Sequence, residues 1–154
     1  MFPSDMQIKK IDDINGLDLE FLVTLDSMIF SDPWSRKQWQ AEVRNSSNEV
    51  EIVYTKAPQS IPVAFLSYGR SGNDIEVKKV GVLPEFRRQG IAALLLGHLI
   101  EQAISSGSYN IFAETSVTNS SAIKLYEKFS FHRISVRKKY YNNKVDALLL
   151  QKEI

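Results

Sequence analysis

The chain has 154 residues, 44% hydrophobic and 24% charged, which suits a single globular domain spanning 1–154. A formal net charge of +1 supplies no global field to gather nucleic acid or an anionic membrane, so neither is expected as a partner. The absence of cysteine excludes disulfides, thiolate metal sites and a cysteine nucleophile, and suits a reducing cytoplasm.

The start, Met1-Phe2-Pro3-Ser4-Asp5, lacks a basic region followed by an apolar run, and no apolar stretch nears the ~20 residues of a membrane span. A soluble, unexported, cytoplasmic protein is expected. Gln7 to Ile11 reads as a short strand, and Leu17 to Phe30 as a helix with Leu17, Phe21, Leu25 and Met28 on its apolar face, stopping before Pro33. Ser35 with Gln38 forms a capping box, which predicts a second helix from Arg36 to Arg44 with Trp39 and Val43 on one side; the Asn45 to Asn48 cluster ends it. Val50 to Thr55, Pro62 to Tyr68 and Asp74 to Val82 read as strands joined by the turns Lys56 to Ile61 and Gly69 to Asn73, so they are expected as antiparallel neighbours.

From Ile91 to Ser106 the positions Ile91, Leu94, Leu95, Leu99, Ala103 and Ile104 predict a helix with a wide apolar stripe, capped at Gly107. Tyr109 to Ser116 reads as a strand, Ser120 to Phe129 as a helix, and Phe131 to Tyr140 with Val145 to Glu153 as a hairpin turning at Asn142-Asn143. The order makes an α+β fold: a central mixed, mainly antiparallel sheet of about seven strands flanked by about four helices, the helix from Ile91 being a crossover. Pro84 cannot donate a ladder hydrogen bond. Pairing with the strand from Tyr109 is therefore expected to fail just after Val82, leaving backbone groups free for an extended ligand.

The segment Val80-Gly81-Val82-Leu83-Pro84-Glu85-Phe86-Arg87-Arg88-Gln89-Gly90-Ile91-Ala92-Ala93 runs from an apolar strand through a basic turn into that helix. Free N–H groups of a first helical turn, the positive end of the helix dipole, the cations of Arg87 and Arg88 and the close approach permitted by Gly90 together suit a phosphate. There is no GxSxG elbow, GxxxxGK[ST] loop, GxGxxG turn or HExxH helix. His98 and His132 stand far apart without an acidic cluster, so they read as surface or packed residues and no metal is expected.

Arg87-Arg88-Gln89-Gly90-Ile91-Ala92 resembles the Q/R-x-x-G-x-G/A turn of the Gcn5-related N-acetyltransferase (GNAT) superfamily. Asn119, Ala122, Leu125, Tyr126 and Phe129 to Phe131 resemble its N-x-x-A-x-x-L-Y-x-x-x-G-F helix. Within that superfamily the chain is similar to the RimI-like branch of ribosomal-protein-alanine N-acetyltransferases. Phe30 to Ser35, with Pro33-Trp34-Ser35, resembles its F-P-W-S segment; Glu114 falls in its E-V-R-x-S-N strand; and Arg137, Tyr140, Tyr141, Asp146 and Ala147 match R-x-x-Y-Y followed by D-A. Ser130 replaces the usual glycine and must adopt a left-handed conformation, and Thr115-Ser116-Val117-Thr118 lacks the branch's arginine.

The resemblance implies a GNAT-like acyl-CoA N-acyltransferase fold. It implies acetyl-CoA as cosubstrate, held by Val80, Gly81, Val82, Arg87, Arg88, Gln89, Gly90, Ile91, Ala92, Ala93 and Asn119, and a protein or peptide N-terminus as acceptor, such as that of a ribosomal protein. Acetyl transfer from a thioester to an amine needs a neutral amine, a polarised carbonyl and a proton for the thiolate. Glu114 is the expected base and Tyr126 the expected acid; seven residues separate Tyr126 from Asn119, two helical turns or about 10.5 Å, so both can face one groove. Trp34, Tyr140 and Tyr141 are the expected acceptor wall. Each has a plainer alternative: Glu114 as an exposed strand-end carboxylate, Tyr126 as a core tyrosine, Pro33-Trp34 as a helix-entry staple, Tyr140-Tyr141 as hairpin residues. Two other functions stay open, acetylation of a small-molecule amine and a non-catalytic CoA-binding sensor. A monomer or weak homodimer is expected.

Overall fold

Local signals set most element boundaries, and the computed structural model describes residues 5–56, 58–141 and 144–154. The elements run β1 (Met6–Lys10), α1 (Leu17–Ile29), α2 (Arg36–Arg44), β2 (Asn48–Thr55), β3 (Pro62–Ser71), β4 (Asp74–Val82), a single 3-10 turn at Pro84–Phe86, α3 (Ile91–Ser105), β5 (Asn110–Ser116), α4 (Ser120–Lys128), β6 (His132–Tyr141) and β7 (Val145–Glu153). The seven strands are ordered β1-β2-β3-β4-β5-β7-β6. The expected hairpin turn at Asn142-Asn143 lies outside the described residues, as does Ala57 in the turn before β3. Among the described residues no helix is long and apolar enough to cross a membrane.

Packing divides the chain into two compact units. One comprises the chain up to Gly69 with Lys79–Leu96, the other Arg70–Lys78 with Gly97–Ile154. In the first, β1 pairs antiparallel with β2 and β2 antiparallel with β3, with a bulge at Val53/Tyr54. Its core gathers Leu19, Leu22, Leu25, Trp39, Ile52, Phe65 and Leu83. The capping box forms as expected: Gln38 N donates to Ser35 Oγ, and Ser35 N donates to Gln38 Oε1. Trp39 is buried and Val43 packs against the same cluster.

The face of α1 differs from expectation, because Leu17, Phe21 and Met28 are exposed while Leu19, Leu22, Leu25 and Asp26 turn inward. Two stripes on this helix satisfy a 3.6-residue period, and periodicity alone cannot choose between them. The buried one is disguised by its aspartate.

In the second unit β4 runs parallel to β5 over Asp74↔Asn110, Ile75↔Ile111 and Glu76↔Phe112. Among the described residues that ladder ends at Glu76 and Phe112, well before Pro84. The missing proline N–H is therefore not what ends it; β5 continues only with its antiparallel neighbour β7, as far as Ser116↔Ala147. β6 pairs antiparallel with β7, the register breaking between Arg133 and Ser135 and between Arg137 and Tyr141. The end of α3 closes at Gly107, φ 71°, with Ser108 N donating to Ala103 O at 2.9 Å. Ile104, expected in the apolar stripe, is 62% exposed: the helix is ending there, and it falls beside rather than under Leu99 and Ala103.

Ser130 adopts φ 69°, and Phe131 N reaches back to Tyr126 O at 3.0 Å to close α4. A β-carbon in this region carries a steric cost that glycine escapes. Ser130→Gly should raise stability by about 0.5–1 kcal/mol, a Tm gain of roughly 1–4 °C at this chain length. Thermal unfolding followed by circular dichroism measures it, and an unchanged or lower Tm would show that the serine is unstrained.

Candidate active site

In the first unit, β4 reaches the helix through a turn built from left-handed residues. Leu83 N donates to Val63 O at 2.9 Å, which holds the strand end, and Phe86 N donates to Leu83 O at 2.9 Å, which starts the 3-10 turn. Arg88 then takes φ 61° and Gly90 φ 79°, and Leu94 N donates to Gly90 O at 2.9 Å, opening α3. The N–H groups of Ile91, Ala92 and Ala93 precede that first bond and have no acceptor within the helix. Arg88 and Gln89 are exposed.

Arg87 is exposed and bonded through one nitrogen. Its Nε donates to Val82 O at 3.1 Å, so part of its guanidinium ties the turn to the strand instead of reaching outward, and the Val82 carbonyl already has a donor. Gln89 Nε2 lies 3.4 Å from Glu85 O, a long bond that leaves its amide adaptable.

Beside this strand sits a feature that sequence reasoning missed. Asp26, fully buried on α1, accepts from Trp34 N at 2.9 Å and Trp39 Nε1 at 2.8 Å through Oδ2, while Oδ1 lies 2.7 Å from Lys79 Nζ on β4. The ammonium stands over the rings of Phe30, at 4.6 Å, and Trp34, at 4.9 Å. Trp34, half-buried, also meets Trp39 at 4.5 Å. The Pro33-Trp34 segment is thus anchored on the core and faces β4. Gly81 is where that segment comes closest: a Cβ there would lie 2.8 Å from Phe30 Cε2 and 3.0 Å from Ile29 Cγ2. The readable signal was a charged residue on the i, i+4, i+7 stripe Leu22, Asp26, Ile29.

The second unit carries the residues expected to act as base and acid. Glu114, on β5, is 22% exposed at its side chain, and its Oε2 lies 3.3 Å from Arg137 Nε on β6. Arg137 stacks over Tyr140, Cζ 4.6 Å from the ring centre. Tyr126 is 5% exposed and packs on Phe131 with ring centres 5.1 Å apart. Asn119 N-caps α4, its Oδ1 accepting from Ala122 N at 3.2 Å, which leaves the amide group as a donor. Tyr141 closes the β6 ladder opposite Val145; its side chain lies outside the described residues. His98 is half-buried on α3 and His132 is exposed. Among the described residues no group of three or more His, Asp and Glu could hold a metal.

Between Arg137 and Tyr141 the strand bulges at Lys139, φ 50°. Its N–H donates to Asp146 Oδ1 at 2.8 Å, while Lys138 Nζ stands 3.5 Å from Asp146 Oδ2. The backbone bond from Lys139 is the main cause that holds the Asp146 carboxyl below its ordinary value. A depressed carboxyl contributes stability above its unfolded pKa and loses it as pH falls through the folded one. The Lys139 amide should therefore stay protected from exchange at pH 5–7 and lose protection below about pH 4. Amide exchange followed by NMR checks this, and Asp146→Asn should remove the acid-dependent step.

Element order, sheet topology and the strand-turn-helix junction together define an acyl-CoA-dependent N-acyltransferase fold. The sequence pattern of the Acetyltransferase (GNAT) family matches residues 19–131, and the chain belongs to that family, an N-acetyltransferase of the GNAT type. It is 24% identical over 143 residues to the [Ribosomal protein bS18]-alanine N-acetyltransferase of Escherichia coli (strain K12), covering 91% of this chain and 94% of that protein. It is 31% identical over 143 residues to an uncharacterized protein of Mycobacterium leprae (strain TN), covering 88% of this chain but spanning only 38% of that relative's length.

Among solved structures, the ribosomal-protein-S18-alanine N-acetyltransferase from Escherichia coli superposes with a TM-score of 0.85 at 23% identity, covering 97% of this chain and 94% of that one. A chain of the NatC complex bound to Gag peptide and CoA superposes with a TM-score of 0.79 at 24% identity, covering 97% and 99%. At such identities these likenesses speak for the fold. The left-handed turn at Arg88 and Gly90, the exposed cation and the open first turn of α3 fit the diphosphate of acetyl-CoA, the acyl donor of this family.

Proposed function

We propose that this enzyme transfers acetyl from acetyl-CoA directly to a protein N-terminal α-amine, with an alanine-starting small-subunit ribosomal protein as its acceptor. The observation that carries this reading is the likeness to the Escherichia coli bS18-alanine enzyme over 91% of this chain and 94% of that protein, an extent not confined to the cofactor motif. The anchored Phe30–Ser35 segment supports it, since a fixed aromatic wall suits a peptide end better than a freely tumbling small amine.

Acetyl-CoA, when bound, supplies a thioester with an electrophilic carbonyl carbon and a thiolate leaving group. Arg88 and the first-turn N–H groups of α3 hold its diphosphate. The backbone of Val80 and Gly81 pairs with the pantetheine amides like an added strand, and one N–H there polarises the thioester carbonyl; Val82 contributes less, because its carbonyl serves Arg87. The Asn119 amide donates to the pantetheine arm. Glu114 takes a proton from the incoming ammonium, directly or through one water, and the amine competes with Arg137 for that carboxylate. As the C–N bond forms and the C–S bond breaks, Tyr126 Oη gives its proton to the departing sulfur and takes up the second proton of the amine nitrogen, which leaves a neutral amide, and Glu114 returns its proton to solvent. No covalent enzyme intermediate is involved.

Wild-type enzyme should release CoA thiol with an alanine-starting peptide from a small-subunit ribosomal protein, and mass spectrometry should place the acetyl group on its N-terminus. Glu114→Gln and Tyr126→Phe should each lower kcat by roughly 10²–10³-fold while acetyl-CoA affinity stays within about twofold. Release with a polyamine or aminoglycoside but with no such peptide would overturn the acceptor. CoA binding without turnover of any amine would favour the sensor function instead.

A further inference from the structure

We infer that the buried Asp26–Lys79 pair positions the acceptor wall, and that Lys79 sets how tightly the acceptor amine is held. The inference rests on the proposed role of the Phe30–Ser35 segment. Asp26 is fully buried, and the Lys79 side chain is only 11% exposed. Stability alone does not call for such a pair, because apolar residues of similar volume serve a buried site as well or better.

What the pair adds is direction. One carboxylate ties three places in the chain: it accepts hydrogen bonds from the Trp34 amide at the entry to α2 and the Trp39 indole within α2, and it is ion-paired with the Lys79 ammonium on β4. The ammonium in turn lies against the faces of Phe30 and Trp34. The Trp34 ring is therefore fixed from two sides, by Trp39 and by Lys79. Lys79 immediately precedes Val80, the first residue of the strand segment offered to the cofactor. One residue further, Gly81 lacks a side chain where Phe30 and Ile29 lie against the strand. The acceptor segment is thus pinned to β4 twice, once by charge and once by close packing.

Removing the charge takes away one of the two holds on the segment while the strand stays. β4 keeps its own anchor, the bond from Leu83 N to Val63 O, so the cofactor edge does not depend on Lys79. Lys79→Met should raise the acceptor KM about tenfold or more, with kcat changed less than about threefold and acetyl-CoA Kd within about twofold. Lys79→Arg, which keeps the cation, should recover most of the loss.

Because a lone buried Asp26 can unfold the protein, the double variant Asp26→Leu with Lys79→Met provides the second arm. It should fold, by circular dichroism, and still show the raised KM. A folded Lys79→Met with unchanged acceptor KM, a parallel loss of acetyl-CoA affinity, or a double variant with wild-type KM would each overturn the inference.

The chain has two tryptophans, and both donate to Asp26, so 5-fluorotryptophan labelling gives a readout independent of turnover. The ¹⁹F resonance of Trp34, assigned by its loss in Trp34→Phe, should shift or broaden in Lys79→Met; an unmoved resonance sinks the idea. Should the wild type acetylate another amine and no alanine-starting peptide, the acceptor reading fails alone, and the KM split is measured with that amine.

Discussion

The first unit depends on a carboxylate that ought not to be buried. Desolvating an unpaired aspartate is far more costly than folding can bear, so Asp26 requires partners: it accepts from the Trp34 amide before α2 and the Trp39 indole within it, and it is ion-paired with Lys79 on β4. That requirement fixes the angle at which the chain leaves α1 and the pose of the indole at the entry to α2. It also fixes the side chain that β4 must present. Apolar packing at the same place would tolerate a range of poses; a carboxylate with directional partners does not. The absence of a side chain at Gly81 belongs to the same constraint, since the segment held by Asp26 lies where a Cβ would be.

Among the described residues, three other than glycine adopt left-handed conformations: Arg88, Ser130 and Lys139. Each sits beside residues of the candidate site, Arg88 in the turn before α3, Ser130 after the helix that carries Tyr126, and Lys139 between Arg137 and Tyr140. Such conformations persist only where surrounding bonds over-determine them. The Arg87–Val82 bond does so at the turn, the bond from Phe131 to Tyr126 does so after α4, and Asp146 does so in β6. Strain is thus placed beside side chains that must be aimed.

The sequence made the capping box of α2, the span of β7, the closure of α3 at Gly107 and the left-handed Ser130 legible, because each follows from a few neighbouring residues. The strand-turn-helix junction was legible for the same reason, and its resemblance to a family motif pointed to the cofactor. Other features depend on partners distant in the chain. Asp26 reads as a solvent-facing residue until Lys79 and Trp39 are folded against it, and this misdirected the apolar face of α1. The bond from Arg87 Nε depends on backbone conformation at Val82, and the β4–β5 ladder ends at Glu76 and Phe112 with no local marker in either strand. Residue type and spacing carry none of these.

Two carboxylate–cation pairs separate fixed architecture from chemistry. Asp26 and Lys79 lie 2.7 Å apart with side chains 0% and 11% exposed, so solvent neither screens the pair nor competes with it. Glu114 and Arg137 lie 3.3 Å apart with side chains 22% and 56% exposed, and the guanidinium is also stacked on the exposed ring of Tyr140. The arginine side of this pair is open to solvent although Glu114 Oε2 is itself buried, so the guanidinium is held less firmly and can give way to another cation. A carboxylate that must meet an ammonium ion needs that exchange, whereas one that must hold a wall in place needs its absence. The proposed division of labour, Asp26 for position and Glu114 for proton transfer, follows from burial as much as from the identity of either residue.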